Sequence, residues 1–211
     1  MTEGGYHVTR LAPDPRRRVL WQTLVAREFQ KHIPPGGTVL DLGAGYGYFI
    51  NAVTARRRIA VDLWPAMIEH LAPGVEGLVT DIAQLDAIAD ASLDYVFSSN
   101  CFEHVPREKL VACLAELRRK MKPGATLTLV QPNFKYSFRE YFDDYTHVSI
   151  YTDKSLSDLL TVNGFQVIRC VPRFLPFTIR SRLPVKPFLI RLYLASPFKP
   201  LAKQMLISVI R

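Results

Sequence analysis

Only three cysteines, Cys101, Cys113 and Cys170, occur in 211 residues, and no two have the short spacing of a thiolate metal site. So sparse and odd a set excludes a disulfide-stapled secreted scaffold and predicts a reducing compartment, the cytoplasm. No apolar run approaches the roughly 20 residues that span a bilayer, and the N-terminal stretch is polar, so neither a transmembrane helix nor a signal peptide is expected. Low-complexity tracts and internal repeats are absent too, which excludes repeat architectures. What remains is a chain with 48% hydrophobic residues, the size and composition of one globular domain with a full core.

The net charge of +8 sits at one end. From residue 169 onward there are nine Lys and Arg and no Asp or Glu, while the preceding residues sum to about −1. The positive charge belongs to the tail.

Val19, Leu20, Leu24, Val25 and Phe29 recur at helical spacing between residues 15 and 32, and the run 34–37 (Pro-Pro-Gly-Gly) ends that helix. Thr38 to Leu42 reads as a short buried strand, followed by a glycine loop and a helix from about Tyr46 to Ala55. Next come a strand from Arg58 to Asp62, a helix opened by Pro65, a strand ending near Asp81 and a strand from Leu93 to Ser98. Pro106 to Met121 is the longest helix. Lys122-Pro123-Gly124 stops it before a strand from Ala125 to Val130, and a helix from Ser155 to Val162 is capped by Asn163-Gly164. This alternation specifies an α/β fold with a parallel sheet and helices on both faces. The last two β-rich runs, Phe165 to Val171 and Gln204 to Ile210, are suited to antiparallel pairing. The proline-rich stretch between them permits only short helices. A single domain is therefore expected, with an N-terminal cap and helix (1–33), a core (34–171), a basic apolar lid (172–203) and a last strand (204–211).

Gly43, Gly45 and Gly47 stand where a buried strand meets a helix, where missing side chains let a ligand approach the backbone. Their G-x-G-x-G spacing, with Asp41 two residues ahead, departs from the G-x-G-x-x-G of dinucleotide sites. The bland alternative is a tight turn without a ligand. Asp62, at the end of the next strand, is placed to accept from both hydroxyls of a ribose. Asp81, at the end of the third, is placed to accept from an adenine amino group beside the apolar Ile82.

With these residues the sequence resembles the class I S-adenosylmethionine-dependent methyltransferases over nearly its whole length. The resemblance implies a Rossmann-like fold with a mostly parallel seven-stranded sheet and an antiparallel C-terminal strand, and S-adenosylmethionine as cofactor. It also implies that the loop of Asp41, Gly43, Ala44, Gly45, Tyr46 and Gly47 faces the methionine part, that Asp62 and Leu63 hold the ribose side, and that Asp81 and Ile82 hold the adenine. Ser98-Ser99-Asn100-Cys101-Phe102-Glu103-His104 matches the fourth-strand exit that lines the methyl end, which brings in Asn100 and Glu103. Leu117 to Gly124 resembles the structural helix-and-turn signature before the fifth strand. Phe49-Ile50-Asn51, Gln131-Pro132-Asn133, the stretch from Tyr141 to His147 and Phe174-Leu175-Pro176 look like methyltransferases of bacterial surface-polysaccharide gene clusters.

Methyl transfer from a sulfonium needs the acceptor positioned and, for a hydroxyl, a proton removed; no metal is required or expected. His104 and His147 are the candidate bases, against the alternative that His104 only caps a helix or supports another group. Glu103 either contacts the cofactor's amino group or holds His104. Asp143, Asp144 and His147 offer metal-ligand chemistry but read more simply as a solvated turn. Tyr136, Tyr141 and Asp144 are candidate acceptor contacts, with packing as the plainer reading of the tyrosines. Asn100-Cys101-Phe102 lacks the two prolines of the amide and base N-methyltransferases that resemble this fold, which favours oxygen as the target. Cys101 reads as packing. Tyr6 to Arg10 either closes over the cofactor or is a disordered terminus.

The tail alternates apolar residues with isolated cations. That pattern suits a substrate lid, an anionic membrane surface or, less well, a nucleic acid, for which clustered cations and a recognised module are missing. The reading is S-adenosylmethionine-dependent methylation, at oxygen, of a small or saccharide acceptor, with a lipid-linked acceptor and peripheral membrane contact fitting the tail. An RNA methyltransferase and a cofactor-binding partner without activity are the alternatives.

Overall fold

Seven strands form one sheet: β1 (Thr38–Leu42), β2 (Arg57–Asp62), β3 (Val75–Val79), β4 (Leu93–Ser99), β5 (Met121–Pro132), β6 (Gln166–Pro176) and β7 (Ala202–Ile210). The computed structural model describes residues 14–176 and 185–211. The segment Tyr6 to Arg10, expected to close over the cofactor, lies outside the described residues, as do Phe177, Ile179, Arg180, Arg182 and Leu183 of the expected lid. The strand order is β3-β2-β1-β4-β5-β7-β6. The first five are parallel neighbours, and β7 runs antiparallel to both β5 and β6. The α/β class, the mostly parallel seven-stranded sheet and the antiparallel C-terminal strand are as the sequence led one to expect. Because β1 pairs β2 on one side and β4 on the other, the order reverses beside it. In open α/β sheets such a reversal marks where ligands bind, past the strands' C-terminal ends.

Helices cover both faces: α1 (Pro15–Leu24), α2 (Arg107–Lys120), α3 (Phe134–Ser137), α4 (Asp153–Val162) and α5 (Pro187–Ala195). Each residue of β1 is buried, as a central parallel strand covered on both faces must be. On one face α2 and α4 supply Leu110, Leu114, Leu117, Leu156 and Leu160. On the other, Leu24, Phe29, Phe49, Phe97, Phe174 and Ile190 form an aromatic-rich core, in which Phe49 stacks on Phe97 with ring centroids 3.8 Å apart.

Five elements differ from expectation. Residues 46–55 do not make a regular helix. Gly43, Gly45 and Gly47 have φ of 75°, 51° and 65°, so the chain is still left-handed where a helix would nucleate. Only scattered turn bonds such as Asn51 N–H to Gly47 O (2.9 Å) follow. The run from Pro65 to His70 is a tight 3-10 turn. Strand β5 starts at Met121, because a shift of register between Leu93 and Tyr95 lets the pair absorb Pro123 and Gly124 as an irregularity. Strand β6 runs on to Pro176 with Phe174 and Leu175 buried, so the first residues of the expected lid belong to the sheet. Helix α4 starts earlier than Ser155 because Thr152 and Ser155 form a reciprocal cap. Among the described residues no helix is long and apolar enough to cross a membrane.

Candidate active site

The glycine loop leaves β1 at Leu42 and turns back under the end of β2, where Gly43 N–H and Ala44 N–H donate to Val61 O at 2.8 and 3.0 Å. A Cβ on Gly43 would lie 2.6 Å from Cys101 Sγ, so this loop touches the exit of β4 directly. Ser98 Oγ donates to Leu42 O (2.8 Å) and ties the same two strand ends together.

Asp62 closes the loop from the other side. Its Oδ2 accepts from Gly45 N–H (2.8 Å) and its Oδ1 from Trp64 N–H (2.9 Å). A carboxylate oxygen has two lone pairs, so each retains capacity for a hydroxyl after its one backbone donor. Leu63 is exposed beside it, and Ile82 is buried past the end of β3. Asp81 accepts from Ala83 N–H (3.0 Å) and pairs with Lys109 of α2, a partner the sequence reading missed. These side chains, with glycines where a Cβ would intrude, fit a nucleoside. The Tyr46 ring lies 4.8 Å from that of Trp64 and 4.7 Å from that of His70.

Asp41 faces inward. It is 3% exposed, and burial pushes its carboxyl up to about 8, reinforced by Asp62 and opposed by a hydrogen bond from the Ile50 backbone. It props the turn after the loop. A carboxyl whose folded pKa is raised binds more protons folded than unfolded, so stability falls as pH rises between the two values and is flat above the folded one. Glu103, also pushed up to about 8, acts in the same direction. His104, lowered to about 4 from 6.5, acts oppositely, but only below about 6.5. Urea unfolding should therefore show stability falling from pH 6.5 to 8, and the slope should be shallower in Asp41→Asn. An unchanged slope would contradict the burial assignment.

The second half of the site is built on the exit of β4. Asn100 sits at φ 49°, held by its N–H to Val130 O (2.9 Å) and by Gln204 Nε2 donating to its Oδ1 (2.7 Å). One turn follows, Phe102 to His104. Val148 N–H and Ser149 N–H donate to Glu103 O at 2.9 and 3.0 Å, and Ser149 Oγ donates to Val105 O (2.7 Å). These bonds dock the segment after β5 on the β4 exit and bring His147 to His104, with ring centroids 4.8 Å apart.

Hydrogen bonds then fix the imidazoles. Thr146 Oγ1 donates to Asp144 Oδ1 (2.6 Å) and lies 2.9 Å from His104 Nδ1. With the hydroxyl proton committed to Asp144, His104 Nδ1–H is the donor and its lone pair is on Nε2. His147 Nδ1–H donates to Tyr141 O (2.6 Å), which fixes the same tautomer. His104 is pulled down to about 4 by burial, with His147 adding to the shift and Asp144 and Thr146 opposing it. Burial alone would raise Asp144, but the two Thr146 donors and both imidazoles outweigh it and hold the carboxyl low. Glu103, 2% exposed, is raised by burial first and by Asp144 second. In the orientation that satisfies both ends of its amide, Gln131 donates to Glu103 Oε2 and accepts from Phe102 N–H (3.2 Å).

The structure thus gathers Glu103, His104, His147 and Asp144, and adds Thr146 and Gln131, whose roles nothing in the sequence marked. Two expected acceptor contacts change role. Tyr141 is buried and its hydroxyl donates to Ser149 O, so it supports the loop instead of offering a surface. Asp144 orients Thr146. Tyr136 remains partly open, with the Arg173 guanidinium 5.2 Å from its ring centroid. Burial drives the Cys101 thiol well above its ordinary range, in keeping with packing. A cavity of about 370 Å³ lined by Ile33, Asp94 and Lys122 opens at the opposite, N-terminal ends of the strands and has no part in this constellation.

A family model described as a methyltransferase domain matches residues 14–169. The chain is 32% identical over 158 residues to malonyl-[acyl-carrier protein] O-methyltransferase of Methylococcus capsulatus, covering 67% of this chain and 56% of that protein. It is 26% identical over 167 residues to phosphoethanolamine N-methyltransferase 2 of Caenorhabditis elegans, covering 70% of this chain and 37% of that protein. The chain therefore spans about half or less of these relatives. Among solved structures, a SAM-dependent methyltransferase from Archaeoglobus fulgidus superposes with a TM-score of 0.66 at 22% identity, covering 92% of this chain and 94% of that one.

Proposed function

This chain belongs to the S-adenosylmethionine-dependent methyltransferase family, and on that premise we propose that it methylates a hydroxyl oxygen of a small or saccharide acceptor at the cluster of His104 and His147. The observation that carries this is the pair of imidazoles 4.8 Å apart on the strand exit that touches the glycine loop through Cys101 and Gly43. Bound at the loop, S-adenosylmethionine would supply a sulfonium methyl, with the thioether as leaving group. Gly43, Ala44 and Gly45 would leave room for its methionine part, Asp62 would accept from the ribose hydroxyls, and Asp81 and Ile82 would receive the adenine. The acceptor oxygen uses a lone pair for the new C–O bond. Its proton is lost at the imidazole pair, whose Nδ1–H groups are already committed to Thr146 and Tyr141. The two curated relatives differ in the atom their names give, O and N, so oxygen rests on the imidazoles and on the missing Pro-Pro after Asn100.

Calorimetry should show S-adenosylmethionine binding and no binding of a nicotinamide dinucleotide, and methyl release should require a hydroxylated glycan or other hydroxyl acceptor. Dinucleotide binding instead would overturn the loop assignment. A saccharide acceptor of the surface-polysaccharide kind, lipid-linked, is supported by the tail. Helix α5 exposes Phe188 and Leu192 beside Lys186 and Arg191, and each cation near an anionic surface contributes about 1 kcal/mol. In flotation with anionic liposomes the protein should rise with the lipid; protein left at the bottom of the gradient removes the membrane contact.

A further inference from the structure

Glu103, His104 and His147 each offer one potential ligand atom, and these three atoms lie within 4.8 Å of one another. No other group of three His, Cys, Asp or Glu side chains with this property occurs among the described residues, and the Asp143-Asp144-His147 grouping considered from sequence is not one. We propose that Glu103, His104 and His147 hold a divalent first-row transition metal ion. This rests on the reading above that the cluster is where the acceptor's hydroxyl is handled.

The donor set is two imidazoles and one carboxylate, which suits zinc, manganese, iron or cobalt better than the all-oxygen preference of calcium or magnesium. The supports around it have the form that orients metal ligands. Each imidazole binds protein through Nδ1, His104 to Thr146 and His147 to the Tyr141 carbonyl, so in both rings Nε2 is the ligating nitrogen. Asp144 anchors Thr146 in turn. Gln131 holds Glu103 Oε2, while Oε1 lies 4.0 Å from His104 Nε2. A divalent cation at this place would hold Glu103 ionised, and among the described residues no lysine or arginine forms an ion pair with Glu103 to do so instead. Donors about 2.1 Å from one ion stand roughly 3.0–3.4 Å apart. The pairs here, none wider than 4.8 Å, must therefore close by up to about 1.8 Å, which side-chain rotation has to supply. A cation so placed binds the acceptor's hydroxyl and lowers its proton affinity. The proton then passes to solvent water, and the imidazoles serve as ligands in place of the base role given to them above.

The test is titration of the chelator-stripped full chain with cobalt(II), read by its visible absorption and by calorimetry. One equivalent should bind with the spectrum of nitrogen ligation. His104→Ala, His147→Ala and Glu103→Gln should each weaken it by more than tenfold, and Thr146→Val by about tenfold through its hold on His104. Asp143→Asn should leave affinity unchanged. Thermal unfolding and S-adenosylmethionine binding identify any variant that fails to fold, in which case His147→Gln takes its place. Absence of stoichiometric uptake, or uptake indifferent to these substitutions, overturns the metal site, and methyl transfer that survives chelation agrees with that outcome and leaves the imidazole reading standing. Failure to bind S-adenosylmethionine at all would instead sink the reading on which it rests.

Discussion

Replacing His104 with alanine is expected to lower kcat for methyl transfer by about 10²–10⁴-fold while the affinity for S-adenosylmethionine stays unchanged. His104 is joined to the glycine loop through the turn that carries Cys101, and its ring is held by Thr146 of the segment after β5. Its losses should fall on the chemical step. His147→Ala should behave alike, since the second ring is fixed by its own bond to Tyr141 O. Thr146→Val gives the internal check. It keeps both imidazoles and removes the hydroxyl that takes the His104 Nδ1 proton and passes its own to Asp144, so kcat should fall by about 10–100-fold. Whether the rings act directly or through a metal, the order of these effects is the same. Transfer that persists within tenfold in both histidine variants would mean that the acceptor is handled elsewhere.

The fold was legible because its signals are local. Buried apolar strands, helices with proline starts and glycine stops, and acids at strand ends each declare themselves within a few residues. The candidate cofactor residues Gly43, Asp62 and Asp81 could be picked out for the same reason, since all follow directly from strand ends in the parallel order. The grouping of the candidate acceptor residues could not. His104 and His147 stood out by residue type, but their meeting depends on Val148 and Ser149 donating to Glu103 O across more than forty residues, which no periodicity reveals. Gln131 and Thr146 look like ordinary polar residues until their partners are placed. For Tyr141 the plainer of its two readings, packing, is the one its burial and its hydroxyl's bond to Ser149 agree with. The helix expected over 46–55 is missing because three glycines impose left-handed backbone just before it, and nothing in the residue pattern announces that conformation.

That handedness makes Gly43→Ala the most damaging small change available in the cofactor loop. Two separate strains combine. The residue has φ 75°, a left-handed conformation that costs an L-residue about 1–2 kcal/mol. Its new methyl would also stand 2.6 Å from Cys101 Sγ and 2.9 Å from Cys101 Cβ, and such overpacking typically costs about 1–3 kcal/mol. The chain cannot relieve the contact by moving the loop, because Gly43 N–H and Ala44 N–H are both bonded to Val61 O and Gly45 N–H to Asp62. Nor can the β4 exit retreat, since Asn100 is held by Val130 and Gln204. The variant should lose about 2–5 kcal/mol in urea unfolding, and S-adenosylmethionine affinity should drop at least tenfold as the loop distorts. A double variant with Cys101→Gly separates the terms. Removing the cysteine side chain lifts the clash and leaves the φ strain, so part of the stability should return and part should not. Full recovery would show that the backbone tolerates alanine there, and no recovery would show that the loop and the β4 exit are not in the contact that places the cofactor beside the imidazoles.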